Sequence, residues 1–578
     1  MSLANKWLCH NEQAGNVILL GIAFAVISFN LIAVFGLDSL LHDDPAMYRR
    51  VLSGRFPHGL VKFNLIAPFS EWLGWNIMAI SPHLARGLYV LLLLVPLSCC
   101  FYHLWHRRFG FSRMTSFAAA VLPNILPMQW QIPAGINMSY VLWGLLFAIL
   151  SLILGMRYLE KSHPGHWLTL AAASCCFLVA TQIMEQALFL FPPFFLAFWG
   201  YKKFARENRR LLAAFSIIAL VKLAQMLVYQ RKAAHLIPLE EIADRFGAFL
   251  QWVMPVADVP PLCAALIFFS TIAAGFALQM RDRRGAWEGG SVFSRFTDRG
   301  QVIFFHGFFV FWILSTALPA ILLSFFFSIR YATMSLFGAS AIFVFSLQGM
   351  IEKLLPGRGK KAWSHVFSLI IIVSGISRFF YLEKVFALEN ANQAVIVRGL
   401  AERNLPVGSQ IVIVGIQGRG YKGFDGGWER SSGYLQFALK RKDLKGLIGP
   451  RHASEYYNFD DHFNRQLRGW WPRNYMTGLS LRTPVFLFCH AGGKRGLEQL
   501  EYALQWRGEN CRASWTIYRF DKASGKSLPV VSGDGMKEYM TAIRQLKKIG
   551  VAQSDILWGG PPTGEERIRL KKGTKNGC

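Results

Sequence analysis

Apolar residues in this chain gather into runs of about twenty, the length a helix needs to cross roughly 30 Å of hydrocarbon, with polar segments of uneven length between them. The runs predict about eleven transmembrane helices. They are Ala14 to Leu37, Arg86 to Trp105, Met114 to Met128, Ser139 to Met156, Trp167 to Thr181, Ala187 to Gly200, Leu211 to Val228, Pro261 to Met280, Val302 to Phe327, Ala332 to Met350 and Val366 to Phe380. A segment inside lipid must satisfy its own backbone groups, so each run reads as a helix. The first run is longer than a signal h-region and no small-residue cleavage site follows it, so it is expected to stay as the first span. Beyond Tyr381 the pattern changes. Val385 to Arg403 reads as a helix, and Gln410 to Ile416, Pro484 to Cys489 and Trp515 to Phe520 read as strands. Helical patterns at Leu497 to Trp506 and Gly535 to Lys548 alternate with them. The predicted fold is a polytopic α-helical membrane protein with a C-terminal soluble α/β domain. Residues 1–380 form the membrane domain, with outer juxtamembrane helices in loops 38–85 and 229–260; residues 381–560 form the α/β domain, and 561–578 a disordered tail.

Composition agrees with two kinds of region. Of 578 residues, 53% are hydrophobic, which is too apolar for a chain that is soluble throughout. The formal charge of +28 raises the question of nucleic acid. The basic residues lie mostly between apolar runs, so membrane lipids are the expected partner and nucleic acid is not. Basic clusters also orient the chain: HRRFGFSR from His106, YKKFARENRR from Tyr201, RDRR from Arg281 and LPGRGKK from Leu355 fall on alternate connections. Those connections are expected in the cytoplasm, which puts loops 38–85 and 229–260, the short link Ser328 to Tyr331 and everything after Tyr381 outside. Of the nine cysteines, Cys99, Cys100, Cys175, Cys176 and Cys263 read as packing residues in or beside apolar runs. Cys489 and Cys511 share the soluble domain, as two free thiols or as a pair in an oxidising compartment.

Candidate chemistry sits on the outer connections. Directly after the first span, LHDDPAMYRRVLSGRF offers an acidic pair opening a short helix, with Met47, Tyr48, Val51 and Leu52 on one face and Arg49 and Arg50 on another. That helix is expected to lie along the outer membrane surface. Pro45 suits a first helical position, so Asp44 can serve as N-cap; Asp43, held beside a like charge, is suited to a general base. Arg330 stands in the short outer link against the positive-inside tendency, beside Tyr331, either as an interfacial anchor or as a fork for a phosphate. Glu185 falls at an outer turn or slightly inside the bilayer. Lys222 lies within a span, where it can pair with Glu185 or with a lipid phosphate. Loop 229–260 carries His235 and an amphipathic stretch from Pro238 to Val253, with Leu239, Ile242, Phe246 and Phe249 on one side. GIQGRGYKGFDGG follows a predicted strand without a helix start at phosphate-loop spacing, so ordinary turns are expected there. Trp428, Trp470 and Trp471 are either core residues or sugar-stacking platforms.

The uncleaved first span, the outer acidic pair opening a juxtamembrane helix, the outer arginine before a late span and the outer C-terminal domain together resemble the GT-C superfamily of membrane glycosyltransferases. The resemblance implies a base at Asp43 or Asp44 and a lipid-phosphate contact at Arg330. GWWPRN departs from the WWD motif of oligosaccharyltransferases, because Pro472 replaces the aspartate, and this favours transfer of single sugars. The expected function is inverting transfer of one sugar from a polyprenyl-phosphate donor to an extracytoplasmic glycan or glycolipid acceptor. Donor phosphate is assigned to Arg330, Tyr331 and Lys222, and substrate contacts to Glu185, Arg49 and His235. No cofactor or metal is expected, since no ligand cluster has useful spacing. The location implied is a multi-pass, bacterial inner-membrane protein. A lipid or glycan transporter or flippase, or a non-catalytic envelope assembly protein, is the alternative.

Overall fold

The computed structural model describes residues 20–30, 67–127, 139–160, 166–201, 206–229, 236–281, 298–322, 329–355, 358–401, 410–413, 428–448, 485–489, 502–509, 512–521 and 526–534, with single positions at 18, 48 and 52. Two compact units emerge: residues 1–36 with 56–383, and residues 37–55 with 384–578.

The first unit is all helical. Its helices are α1 (Leu20–Asn30), α2 (Ala67–Ile80), α3 (Pro82–Arg108), α4 (Arg113–Ile125), α5 (Ser139–Glu160), α6 (His166–Ile183) and α7 (Phe191–Tyr201). Then come α8 (Arg206–Tyr229), α9 (Leu239–Val253), α10 (Pro261–Arg281), α11 (Asp298–Leu322), α12 (Ile329–Leu354) and α13 (Gly359–Ala401), of which the part up to Glu383 belongs to this unit. Among the described residues, 8 helices are long and apolar enough to cross a membrane. The expectation of about eleven is met differently at the other three. The first run is described over Leu20–Asn30 only, and α4 has 13 residues, which at about 1.5 Å each falls short of a bilayer. The run around Ala187 becomes a 3₁₀ turn, Glu185–Leu190, followed by α7 of 11 residues. Pro192 and Pro193 set that junction, since proline is accommodated in the first turn of a helix and not in its middle.

α12 is the centre of the bundle, with 89% of its apolar window buried, against 17% for α8 and for α10, which therefore present most of their surface to lipid. Around α12 the core is aromatic. Phe101 of α3 stacks on Phe337 at 4.4 Å and Phe111 on Phe345 at 4.7 Å, while the Trp312 indole donates to the Met334 carbonyl at 2.9 Å. The expected packing cysteines divide: Cys99, Cys100 and Cys176 are half-buried, whereas Cys175 and Cys263 are exposed on helix faces.

Helix ends that parity places on one side are bonded to each other. At the end carrying the basic loops, Arg108 pairs with Glu160, Thr115 donates to Gln348, and Gln279 donates to the Phe345 carbonyl at 3.1 Å. At the opposite end, Ser374 donates to the Ile125 carbonyl at 3.0 Å and Arg245 to the Ala320 carbonyl at 3.0 Å. Gly275 permits a close crossing: a Cβ there would lie 2.7 Å from Ser346 Cα, whereas one on Gly307 would meet nothing within 4 Å. Gly275→Leu is expected to destabilise the bundle by about 1–3 kcal/mol through forced separation of α10 and α12. Thermal unfolding in detergent checks this, with Gly307→Ala unchanged as the comparison.

α13 corrects the expected break at Tyr381. It is one helix of 43 residues, because Tyr381-Leu-Glu-Lys-Val contains no glycine or proline and favours continuation. In the second unit β1 (Gln410–Ile413), α14 (Trp428–Ala438), β2 (Lys445–Ile448), β3 (Val485–Cys489), β4 (Tyr502–Glu509), β5 (Arg512–Asp521) and β6 (Lys526–Asp534) follow. The sheet order is β2-β1-β3-β4-β5-β6, parallel at β1 with β2 and β3 and antiparallel from β3 to β6. Two expectations change here. Of the helix expected from Leu497 to Trp506, the described part, Tyr502 onward, is strand β4, whose backbone is paired on both sides with β3 and β5, and this outweighs a local helical period. A helix, α14, does follow the glycine-rich segment and returns the chain to a parallel strand. The glycine-rich residues, Trp470, Trp471, Cys511, residues 535–548 and the 561–578 tail lie outside the described residues.

Candidate functional site

The expected site residues divide by what the structure describes. Asp43, Asp44, Arg49 and His235 lie outside the described residues. Tyr48 and Leu52 of the acid-pair segment are helical and half-buried. Tyr48 meets Phe437 of α14 edge to face at 5.4 Å, and burial pushes its phenol above the usual value. Tyr48 therefore has a protein partner within the second unit. The partner is held firmly: Leu435 and Leu444 are buried, and the Gln436 amide donates to the carbonyls of Lys442 at 3.1 Å and Leu444 at 2.8 Å.

Arg330 and Tyr331 stand in the first turn of α12, so the short link before that helix ends at or before Ser328. A cation in the first turn opposes the helix dipole, which strengthens the demand for an anionic neighbour.

Lys222 and Glu185 are brought together. On α8, Leu211, Phe215, Ala219 and Lys222 form the inward stripe at spacings of three and four, while Leu220, Val221 and Leu223 are exposed. Lys222 is 0% exposed, and the Glu185 carboxylate is the charge acting on its ammonium. Glu185 opens the 3₁₀ turn after α6, where the extended Met184 ends the helix. Beside them Gln182 of α6 donates to Gln225 of α8 at 3.3 Å.

On the same end of the bundle, α9 docks through Gly247, Phe249, Leu250 and Val253, leaving Leu239 81% exposed and Phe246 partly so; the apolar side expected from Leu239 to Phe249 is thus rotated. Arg245 holds Glu241 at 2.6 Å and caps the last turn of α11 at Ala320. Asp258, with φ 59°, turns the chain toward α10, and the Ala257 amide donates to Ser377 of α13 at 2.8 Å.

Sequence reasoning passed over Arg378. It lies inside the span expected from Val366 to Phe380, and an arginine within a span was itself the signal. Asn30, Asn124 and Ser98 join it in one buried network. Among the described residues, no group of three His, Cys, Asp or Glu comes together to hold a metal ion.

Fold and site define a multi-pass α-helical membrane protein with ionisable groups buried in the bundle at the end opposite the basic loops. No family model and no curated protein matches the chain. Among solved structures it is similar to ArnT from Cupriavidus metallidurans. In the apo state the identity is 12% and the TM-score 0.42, over 84% of this chain and 94% of that one. For ArnT bound to undecaprenyl phosphate the identity is 12% and the TM-score 0.43, over 82% and 93%. It is also similar to the archaeal oligosaccharyltransferase AglB from Archaeoglobus fulgidus, in complex with an inhibitory peptide and a dolichol-phosphate. There the identity is 11% and the TM-score 0.42, over 83% and 70%.

Proposed function

We propose that the chain is a GT-C-type membrane glycosyltransferase. It moves a single sugar from a polyprenyl-phosphate donor to a glycan or glycolipid acceptor, outside the membrane and at the end of the bundle opposite the basic loops. The observation that supports this best is Lys222. An ammonium fully buried on the inward stripe of α8, with the Glu185 carboxylate acting on it, is suited to a lipid-borne phosphate and is of little use to the packing of that stripe.

In the reaction, Asp43 or Asp44 takes the proton from an acceptor hydroxyl. The freed oxygen attacks the anomeric carbon and forms the new C–O bond. The bond from that carbon to the phosphate oxygen breaks, and its electron pair leaves on polyprenyl phosphate. Arg330, with Tyr331 and Lys222, stabilises that charge as it develops. Glu185, Arg49 and His235 contact the substrates. A single displacement inverts the anomeric centre. No step needs a metal or cofactor in this scheme.

The test is direct. Purified protein in lipid vesicles receives an α- or β-linked polyprenyl-phosphate sugar and an acceptor glycolipid, and the product linkage is read by NMR. Transfer with the opposite anomeric configuration is expected. Retention would remove the single displacement, and absence of both donor binding and transfer across several donor sugars would remove the reading.

A further inference from the structure

Arg378 is 1% exposed on the inward stripe of α13, one turn after Ser374. One terminal nitrogen donates to the Asn124 carbonyl and the other to Asn30 Oδ1 at 2.9 Å; its Nε is buried without a partner. The acceptors are oriented by bonds of their own. Asn30 Nδ2 donates to the Val26 carbonyl at 2.8 Å and Asn124 Nδ2 to Ser98 Oγ at 2.8 Å. Among the described residues, both groups bonded to the guanidinium are therefore neutral. The contrast with Arg108, which meets Glu160 at the other end, is plain.

Two neutral acceptors do not require a cation. A glutamine would tie Asn30 to Asn124 without a charge that is costly to keep in an apolar bundle. The charge has a use if an anion outside the chain meets it, and the unoccupied Nε with the remaining terminal N–H groups forms the fork that matches an oxyanion. Access is short. Leu369, Ile372, Ile376, Phe379 and Phe380 form the exposed face of α13, so the lipid-facing side begins one residue from Arg378, near the end of the apolar stretch.

We propose that Arg378, with Asn30 and Asn124, is a binding site for a resident phosphate-type anion that serves as counter-charge to the bundle. The anion is either the head group of an anionic phospholipid or a soluble phosphate. This site takes no part in sugar transfer, and stability is its readout, so its failure leaves the transferase reading untouched.

The full chain in neutral detergent is supplemented with phosphatidylcholine, phosphatidylglycerol or inorganic phosphate, and the midpoint of thermal unfolding is followed. Phosphatidylglycerol is expected to raise the midpoint by roughly 2–4 °C over phosphatidylcholine. Arg378→Gln should lose that increment, and Arg358→Gln, in a basic loop, should keep it. An increment from inorganic phosphate as well identifies a soluble anion as sufficient; one from the lipid alone identifies the head group. No increment from either, or an equal increment in Arg378→Gln, overturns the proposal. If Arg378→Gln does not fold, native mass spectrometry of the wild type decides: a retained phosphate-bearing adduct is expected, and a bare protein after purification in anionic lipid overturns the site.

Discussion

Changing Asp43 or Asp44 to Asn is expected to lower sugar transfer by about 10²-fold or more in the variant that loses the general base, with little effect on folding. The other variant should transfer at close to the wild-type rate and keep its stability, because asparagine caps a helix about as well as aspartate. The two outcomes separate because asparagine still accepts the backbone N–H bonds of a first turn yet cannot take a proton at neutral pH. The base must work where its chain is held. Tyr48, four residues beyond Asp44, is seated on Phe437, and the helix carrying Phe437 is fastened through Gln436 to the carbonyls of Lys442 and Leu444, just before β2. The segment thus has a fixed point near the acid pair, which is what a base needs to meet an acceptor hydroxyl repeatedly in one geometry. Turnover with a saturating donor, together with the unfolding midpoint, checks both variants. Wild-type transfer by both would remove the acid pair from the chemistry.

Much of the helical unit was legible because its signal is a length. An apolar run of about twenty residues needs no tertiary partner to identify it, and each expected run overlaps a described helix. What length cannot supply is which face of a run turns inward. The inward stripe of α8 runs through Lys222, and that of α13 through Ser374 and Arg378. Arg378 was legible as a charge inside a span, but its neutral partners are Asn30 and Asn124, which are distant in sequence. The second unit was harder for a different reason. Tyr502 to Trp506 fits a helical period as well as a strand, and the choice was made by Phe488 and Tyr518, which pair with Ala503 from either side. Likewise the helix after the glycine-rich segment shows only a weak apolar period, and its place is set by the burial of Tyr434 and Leu435.

Arg330→Lys gives the sharpest separation between an anchor and a phosphate ligand. Arg330 occupies the first turn of α12, whose continuation from Ala332 is the most buried of the membrane-length helices among the described residues. An interfacial anchor needs only a positive charge on a long stem, which lysine also supplies. A ligand for a departing phosphate uses two parallel N–H bonds from a planar fork, which lysine lacks. Under the proposed function Arg330→Lys is therefore expected to insert normally, to bind donor, and to reduce transfer by roughly 10²-fold, the scale seen when one donor to a developing oxyanion is removed. Arg330→Ala should weaken donor binding as well, because the charge itself is gone. Donor affinity and single-turnover transfer in reconstituted membranes measure the two effects separately. A loss of binding and of transfer in equal proportion for Arg330→Lys would mean that the fork acts on the bound donor before reaction. Wild-type transfer by Arg330→Lys would make Arg330 an anchor, and the phosphate would then rest on Lys222 alone, with Glu185 setting the geometry of that ammonium.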